Sequence, residues 1–259
     1  MKLKDTVHRN LYKQLFWVFL ILVLVVTSAR MTGANFGEVF NNIDQMALFL
    51  ERFLHPDWQF FPKIIDPMLK TIKMSVVGTF LGVLLAIPFA FLVTTVVTQN
   101  KWVSEPIRFI LGIIRTIPNL LLAALFVAMI GIGEVTGVLT IAFFTFGMVS
   151  QLIYEAIETI DNGPIEASES VGANKLQIAT WAIAPQITHQ IISYALYAFE
   201  VNIRASTVLG YVGAGGIGIV LNSSLSLLRY DRVSVIILTI LVVVIVIDWI
   251  SEKIRKELV

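Results

Sequence analysis

Cysteine is absent from this chain and charge is scarce: 14% of its residues are Asp, Glu, Lys or Arg, against roughly a quarter in ordinary globular chains. The first absence excludes disulfides and thiolate chemistry and leaves the redox compartment open. Three histidines, His8, His55 and His189, stand far apart in sequence, which gives a histidine-based metal centre little support. The net charge is +1, and no basic cluster offers a footprint for nucleic acid. There is no Gly-x-x-x-x-Gly-Lys-Ser/Thr phosphate loop, no pair of acids and no nucleophile beside a base. This inventory does not describe an enzyme.

What the chain does have is apolar sequence. Hydrophobic residues make up 57% of its 259 positions, and the mean hydropathy is +0.83. A soluble core of this size could not hide that much apolar surface, so the solvent must be lipid. The expected fold is an all-α integral membrane protein with six spans.

Residues 1–14 form a polar tail with Lys2, Lys4, Arg9 and Lys13 against Asp5. Leu15 to Ala29 is the first apolar run. A cleaved signal peptide is its rival reading, but Phe16, Trp17 and Phe19 supply a bulky anchor and favour a retained helix. Residues 30–73 are mixed, and Phe36, Val39, Phe40, Ile43, Met46, Ala47 and Leu50 recur at a helical, amphipathic spacing. That segment suits a helix on the membrane surface or against the bundle. Five more apolar segments follow, at 74–97, 107–130, 135–157, about 186–211 and 233–250. Roughly 20 residues are needed to cross the hydrocarbon core. Lys and Arg near the span ends favour cytoplasmic termini only slightly, because Arg30, Arg52, Lys63, Lys70, Lys73, Arg229 and Arg232 lie on the opposite side.

Several residues are out of place in lipid. Arg115 and Arg204 fall within apolar spans or at their edges, where a lipid-facing charge costs at least about 2.5 kcal/mol. They either line a wet, anion-attracting path or pair internally, with Glu200 one helical turn from Arg204. Pro118 breaks its helix and frees backbone groups that only protein or a cavity can satisfy. Gly213, Gly215 and Gly218 make a formal Gly-x-Gly-x-x-Gly. The dinucleotide fingerprint needs a preceding strand and an acid about 20 residues on, and this chain has neither. These glycines, with Gly210 and Gly216, instead suit a bent or closely packed segment.

The longest stretch between Glu134 and Arg229 that is not simply apolar is 161–185. Gly163-Pro164 starts a helix, and Glu166 and Glu169 favour its positive end. Gly172 interrupts it, and Asn174 with Gln177 reads as a capping box for a second helix. An ordinary polar loop between two spans could look similar.

With these residues in view, the chain resembles the membrane permease subunits of ATP-binding-cassette importers. Glu166-Ala167-Ser168, Gly172-Ala173 and Pro185 are similar to the family's E-A-A-x3-G-x9-I-x-L-P loop. Ser168 replaces the third position, and Ala182 and Ala184 hold the two aliphatic ones. Arg115-Thr-Ile-Pro118, Asp161 to Glu166 and Ala195 to Gly218, above all Asn202 to Gly210 and Gly213 to Gly218, resemble the phosphonate-type branch. The resemblance covers about 70–255 and leaves the first 70 residues outside it.

It implies a type I importer permease core over 74–255, with residues 161–185 as a cytoplasmic coupling helix. Glu166, Ala167, Ser168, Gly172, Ala173 and Pro185 would couple to an ATPase. Arg115, Pro118, Asn119, Glu200, Asn202, Arg204, Ser206 and Thr207 would line the pathway, and Gly210, Gly213, Gly215, Gly216 and Gly218 would form a gate or bend. The implied partners are a second permease chain (a copy or a paralogue), two cytoplasmic ATPases holding ATP and Mg, an extracytoplasmic binding protein and membrane lipid. No cofactor would bind this chain. It would sit multi-pass in the cell membrane with both termini cytoplasmic and carry phosphonate or a related phosphorus oxyanion. An importer for another solute such as methionine, or a stand-alone secondary transporter, are the alternatives. The latter often carries an internal repeat, and none is obvious.

Overall fold

The computed structural model describes residues 11–33, 36–98 and 100–258. Lys2, Lys4 and Arg9 of the tail lie outside the described residues, as do the side chains of Phe36 and Val39. The chain divides into two compact units, 1–52 and 53–259. All secondary structure among the described residues is helical.

The first unit holds α1 (Leu11–Met31), α2 (Phe36–Asn41) and most of α3 (Ile43–Phe53). Helix α1 is 21 residues long and apolar enough to cross a membrane, with none of its residues buried. It is longer than the apolar run at both ends because Tyr12, Lys13 and Arg30 are good enough helix formers to extend it. The amphipathic spacing of 36–50 becomes two helices that meet at Asn42. The Asn42 N–H donates to Glu38 at 3.0 Å, and its carbonyl accepts from the Met46 N–H at 3.0 Å.

The second unit is a helical bundle. Its longest element is α4 (Phe61–Val93, 33 residues), which starts well before the expected boundary at Met74. The reason lies in its periodicity. Ile64, Met68, Thr71, Ser75, Gly78, Gly82, Ala86, Ala90 and Val93 are buried, a three-to-four-residue stripe that runs unbroken through the polar-looking segment. Lys63, Asp66 and Lys70 sit off that stripe. A short α5 (Thr95–Thr98) leads to α6 (Lys101–Thr116) and α7 (Asn119–Ile130). These two are one apolar segment bent by 92°. Ile117 precedes a proline and is held extended, at φ −72° and ψ 120°, which stops α6 there.

Helix α8 (Glu134–Ile157) packs along α4. Small residues allow the approach: a Cβ added at Gly78 would lie 2.6 Å from Ile141 Cγ2, and one at Gly82 would lie 2.6 Å from the Ala142 carbonyl oxygen. In lipid, close van der Waals contact of this kind replaces the hydrophobic drive as the force between helices. Next come α9 (Gly163–Ser170), α10 (Lys175–Gln177), a π-helical turn over Ile178–Ile183 and α11 (Ala184–Leu209). The π turn has a local cause. Pro185 would press its ring on the carbonyl four residues back, and the wider turn, with the Ala184 N–H donating to Ala179, relieves that clash.

A 3-10 turn at Gly210–Val212 and a glycine-rich corner join α11 to α12 (Ile217–Ser226), and α13 (Tyr230–Leu258) returns along the bundle. The α11 and α12 segments meet at a 51° bend. Among the described residues four helices are long and apolar enough to cross a membrane, and up to six spans result if each bent pair counts as one.

Gly137 of α8 tests the packing. A Cβ there would collide with the Ala214 backbone carbonyl and the Met74 side chain, whereas Gly112 of α6 has open space around it. Gly137→Val should cost about 1–3 kcal/mol or more, read as a lowered thermal midpoint and reduced yield of detergent-solubilised protein. Gly112→Ala should leave both unchanged or slightly raised.

Candidate functional site

One end of the bundle presents α9 as a small exposed platform. The Gly163 N–H donates to Asp161 Oδ1 at 3.0 Å, and Pro164 occupies the first turn. Glu166, Ala167 and Glu169 face outward, Ser168 is half-buried, and Ile165 alone is buried. Ile165 enters a core with Ala86 and Ala90 of α4, Ile153 and Ile157 of α8, and Ile183 and Ile187 beyond the platform. Ile165 thus seats the platform on the core that α4, α8, the π turn and α11 share. Gly172 ends it with φ +76°, the left-handed cap that glycine takes without strain, and the half-buried Ala173 donates to Ser168 at 3.0 Å. Asn174 and Gln177 then form a reciprocal capping box, at 2.8 and 2.9 Å. Pro185 is exposed where α11 begins. The exit from the platform also carries exposed apolar side chains, Val171 (84% exposed) and Trp181 (80%).

A buried polar seam runs through the centre of the bundle. Asn202 Nδ2 on α11 donates to Thr79 Oγ1 at 2.8 Å and to Thr145 Oγ1 at 2.7 Å, on α4 and α8. Ser206 Oγ meets Ser75 Oγ at 3.1 Å and donates to the Asn202 carbonyl at 2.7 Å. Thr207, half-buried, donates to the Arg204 carbonyl. Asn202 and Ser206 are about 1% exposed, so in this conformation both serve helix-to-helix contact. Ser75, Thr79 and Thr145 were not expected in this group. Their seam becomes visible only when three helices are aligned.

The glycine corner lies at the opposite end. Gly213, Gly215 and Gly216 all have positive φ, of 87°, 91° and 69°. The corner is tied down by Thr71 Oγ1, which accepts from the Ile217 N–H at 2.8 Å, and by the Gly213 carbonyl, which accepts from the Gly133 N–H at 3.1 Å. Gly210 and Gly218 are in backbone contact, where a Cβ on either would clash. A cavity of about 580 Å³ opens here between Lys70, Gly131–Glu134 and Gly215–Gly216. Lys70 spans it, with Asp66 at 3.2 Å and Glu134 at 3.3 Å.

The two arginines behave differently. Arg204 lies 3.9 Å from Glu200 in its own helix and 3.3 Å from Asp248 on α13. Glu200, only 8% exposed at its side chain, is held by Arg255 of α13 at 2.7 Å. The result is a chain of charges, Arg255–Glu200–Arg204–Asp248, joining α11 to α13. Asp248 and Arg255 escaped the sequence reading because their spacing from α11 shows no periodicity. Arg115 ends α6 exposed, beside the exposed Pro118 and half-buried Asn119, with no ion-pair partner among the described residues. Arg108, also unexpected, is a brace: it pairs with Glu158, donates to the Val93 carbonyl at 3.4 Å and stacks on Tyr154 at 5.1 Å. Among the described residues no group of His, Cys, Asp and Glu could hold a metal ion.

A bundle of broken and unbroken apolar helices, with a polar seam inside and a capped platform at one end, defines a multi-pass membrane protein. The chain belongs to the family of binding-protein-dependent transport system inner membrane components, which matches residues 78–258. It is 34% identical over 247 residues to the phosphite transport system permease protein PtxC of Stutzerimonas stutzeri, covering 95% of this chain and 90% of that one. Against the phosphate-import permease protein PhnE of Mycolicibacterium smegmatis it is 37% identical over 190 residues, covering 73% of this chain and 36% of that one. A chain of the inward-facing MetNI methionine ABC transporter superposes with a TM-score of 0.69 at 21% identity, covering 76% of this chain and 96% of that one. At that identity the likeness is one of fold. Members of the family are transport subunits, and ATP hydrolysis belongs to a separate subunit.

Glu200 is the most consequential charge in the α11–α13 network. Glu200→Ala removes the carboxylate that holds Arg255, which is a third exposed, and should destabilise the protein by about 1.5–3 kcal/mol. Asp248→Ala, which removes a half-exposed partner, should cost about 1 kcal/mol or less. Thermal unfolding of the two purified variants checks the order.

Proposed function

We propose that this chain is a permease subunit of an ATP-driven importer for phosphite, phosphonate or a related phosphorus oxyanion. The observation that carries the reading is the match to the phosphite permease over nearly the full length of both chains. Helix α9 would sit in a groove on a cytoplasmic ATPase, offering Glu166 and Glu169 as charges and Val171 as an apolar contact. Closure of two ATPases on ATP and Mg would draw two such platforms together and rock the bundles between inward and outward states. A second permease chain, either a copy or a paralogue, would complete the pathway, and an extracytoplasmic binding protein would deliver cargo at the end holding the glycine corner. On this reading α9 is cytoplasmic, and both termini lie on the same side.

Arg115 is the better-placed pathway candidate because it is exposed and has no ion-pair partner among the described residues. Arg204 is half-exposed, and an oxyanion would have to compete there with Asp248. The methionine alternative rests on a likeness of fold alone.

Uptake of labelled phosphite, phosphonate and phosphate by cells with and without the gene tests the cargo. Loss confined to phosphorus oxyanions is expected, and unchanged uptake of all three would remove the reading. In the assembled complex, Arg115→Ala should lower uptake at least tenfold while leaving assembly intact.

The coupling role has its own test. Gly172 has no neighbour within 4 Å of a built Cβ, so Gly172→Ala perturbs only the left-handed cap, by about 1 kcal/mol. Together with Glu166→Lys, it should suppress cargo-stimulated ATPase activity without loss of the complex. Normal stimulation in both variants would refute α9 as the coupling element.

A further inference from the structure

An apolar groove opens on the bundle's outer surface near the platform, with a volume of about 560 Å³. Its walls are Pro88, Phe91 and Leu92 of α4 and, across from them, Leu176 and Ala179 of the segment leaving the platform. The outward face of α4 continues it with Leu81, Leu84 and Leu85, all exposed. The groove is thus an indentation in the surface that a bilayer covers, at the end of a helix long and apolar enough to cross it.

Its rim carries a cation. Lys175 lines the groove, and its Nζ donates to the Thr98 carbonyl at 3.1 Å. That bond anchors the ammonium at the mouth and uses one of its three donors, leaving two for another acceptor. No carboxylate pairs with Lys175 among the described residues. The capping box of Asn174 and Gln177 fixes the backbone on either side of it. Lys101 follows Thr98 closely in the chain and is exposed, as is its neighbour Trp102. Trp181, 80% exposed, lies in the π turn that forms one wall. Tryptophans beside lysines at the end of a spanning helix mark the headgroup level of a membrane.

We infer that this groove is a binding site for an anionic phospholipid. One acyl chain lies between α4 and the Leu176–Ala179 wall, and the phosphate sits on Lys175. The chemistry is complementary at both ends, with an apolar slot for the chain and free ammonium donors for the anion. The lipid would bridge the end of α4 and the segment leaving α9, and so make the stiffness of the platform depend on membrane composition. The site requires only that the chain lie in a bilayer. If the phosphorus-oxyanion reading failed, the lipid result would stand unaffected.

The test uses the full chain in its assembled membrane complex, reconstituted in phosphatidylcholine vesicles. The probes are phosphatidylglycerol and phosphatidylcholine, each with a photoactivatable group in the acyl chain, and labelled peptides are mapped by mass spectrometry. The phosphatidylglycerol probe should label peptides holding Phe91–Leu92 and Leu176–Ala184 about fivefold more than the phosphatidylcholine probe, as one lysine at a headgroup implies. Lys175→Gln should bring the two probes level. Thr180→Trp, at an exposed position on the groove wall, should reduce labelling by both, and its thermal midpoint shows whether the fold is intact. Equal labelling by both probes in the unmutated protein would overturn the proposal. So would a preference that survives Lys175→Gln, or no labelling at these peptides, which would mean that a protein partner covers the groove.

Discussion

The close backbone approach of α4 and α8 is the constraint on which the rest of the second unit depends. Two apolar helices gain nothing from leaving lipid for one another unless they pack more tightly than lipid packs on them. Gly78 and Gly82 allow that on one helix, and Gly137 allows it on the other. Gly137 does double service, because Met74 of α4 and the Ala214 carbonyl of the glycine corner both press on the face where a side chain would stand. A pair of spans and the turn between α11 and α12 therefore share one steric solution, and none of the three glycine sites can accept a side chain without moving its neighbour.

Once α4 and α8 are in contact, two further contacts follow from position alone. At mid-height the pair presents Thr79 and Thr145 side by side, and Asn202 of α11 closes on both. Buried hydrogen bonds of this kind contribute modestly in membranes, about 0.6 kcal/mol on average. They fix register, however, because a shifted α11 would leave the Asn202 amide nitrogen unpaired in an apolar interior. At one end the same pair offers Ile153, Ile157, Ala86 and Ala90 as a floor for Ile165. A short polar helix, too short to be stable alone, is held rigid in this way while its charged face stays free. That combination suits an element that must pass force from one protein to another.

The elements legible in advance were those encoded by short-range chemistry. Gly163-Pro164, Gly172 and the Asn174–Gln177 box specify their own backbone geometry, and the platform is built as those residues imply. Pro118 likewise announces its break, although the size of the bend, 92°, depends on what α7 packs against. The start of α4 lies earlier than apolar content implies because Lys63, Asp66 and Lys70 read as polar sequence. The buried spacing of Ile64, Met68 and Thr71 between them, and not the average hydropathy, shows that the helix continues. The Glu200–Arg204 pair was visible as an i, i+4 spacing, yet the closer partners of both residues are Asp248 and Arg255, which no local rule connects to α11.

From sequence alone, the solvent, the helical class, the breaks and the capped platform were determined, because hydropathy, proline geometry, glycine dihedrals and capping act within a few residues. Tertiary structure alone decided which glycines are seams, which polar residues close the central cluster, how each arginine is employed, and where an apolar groove meets a lysine. Those features join residues from different helices, and their energies depend on distances that exist only after the helices have packed.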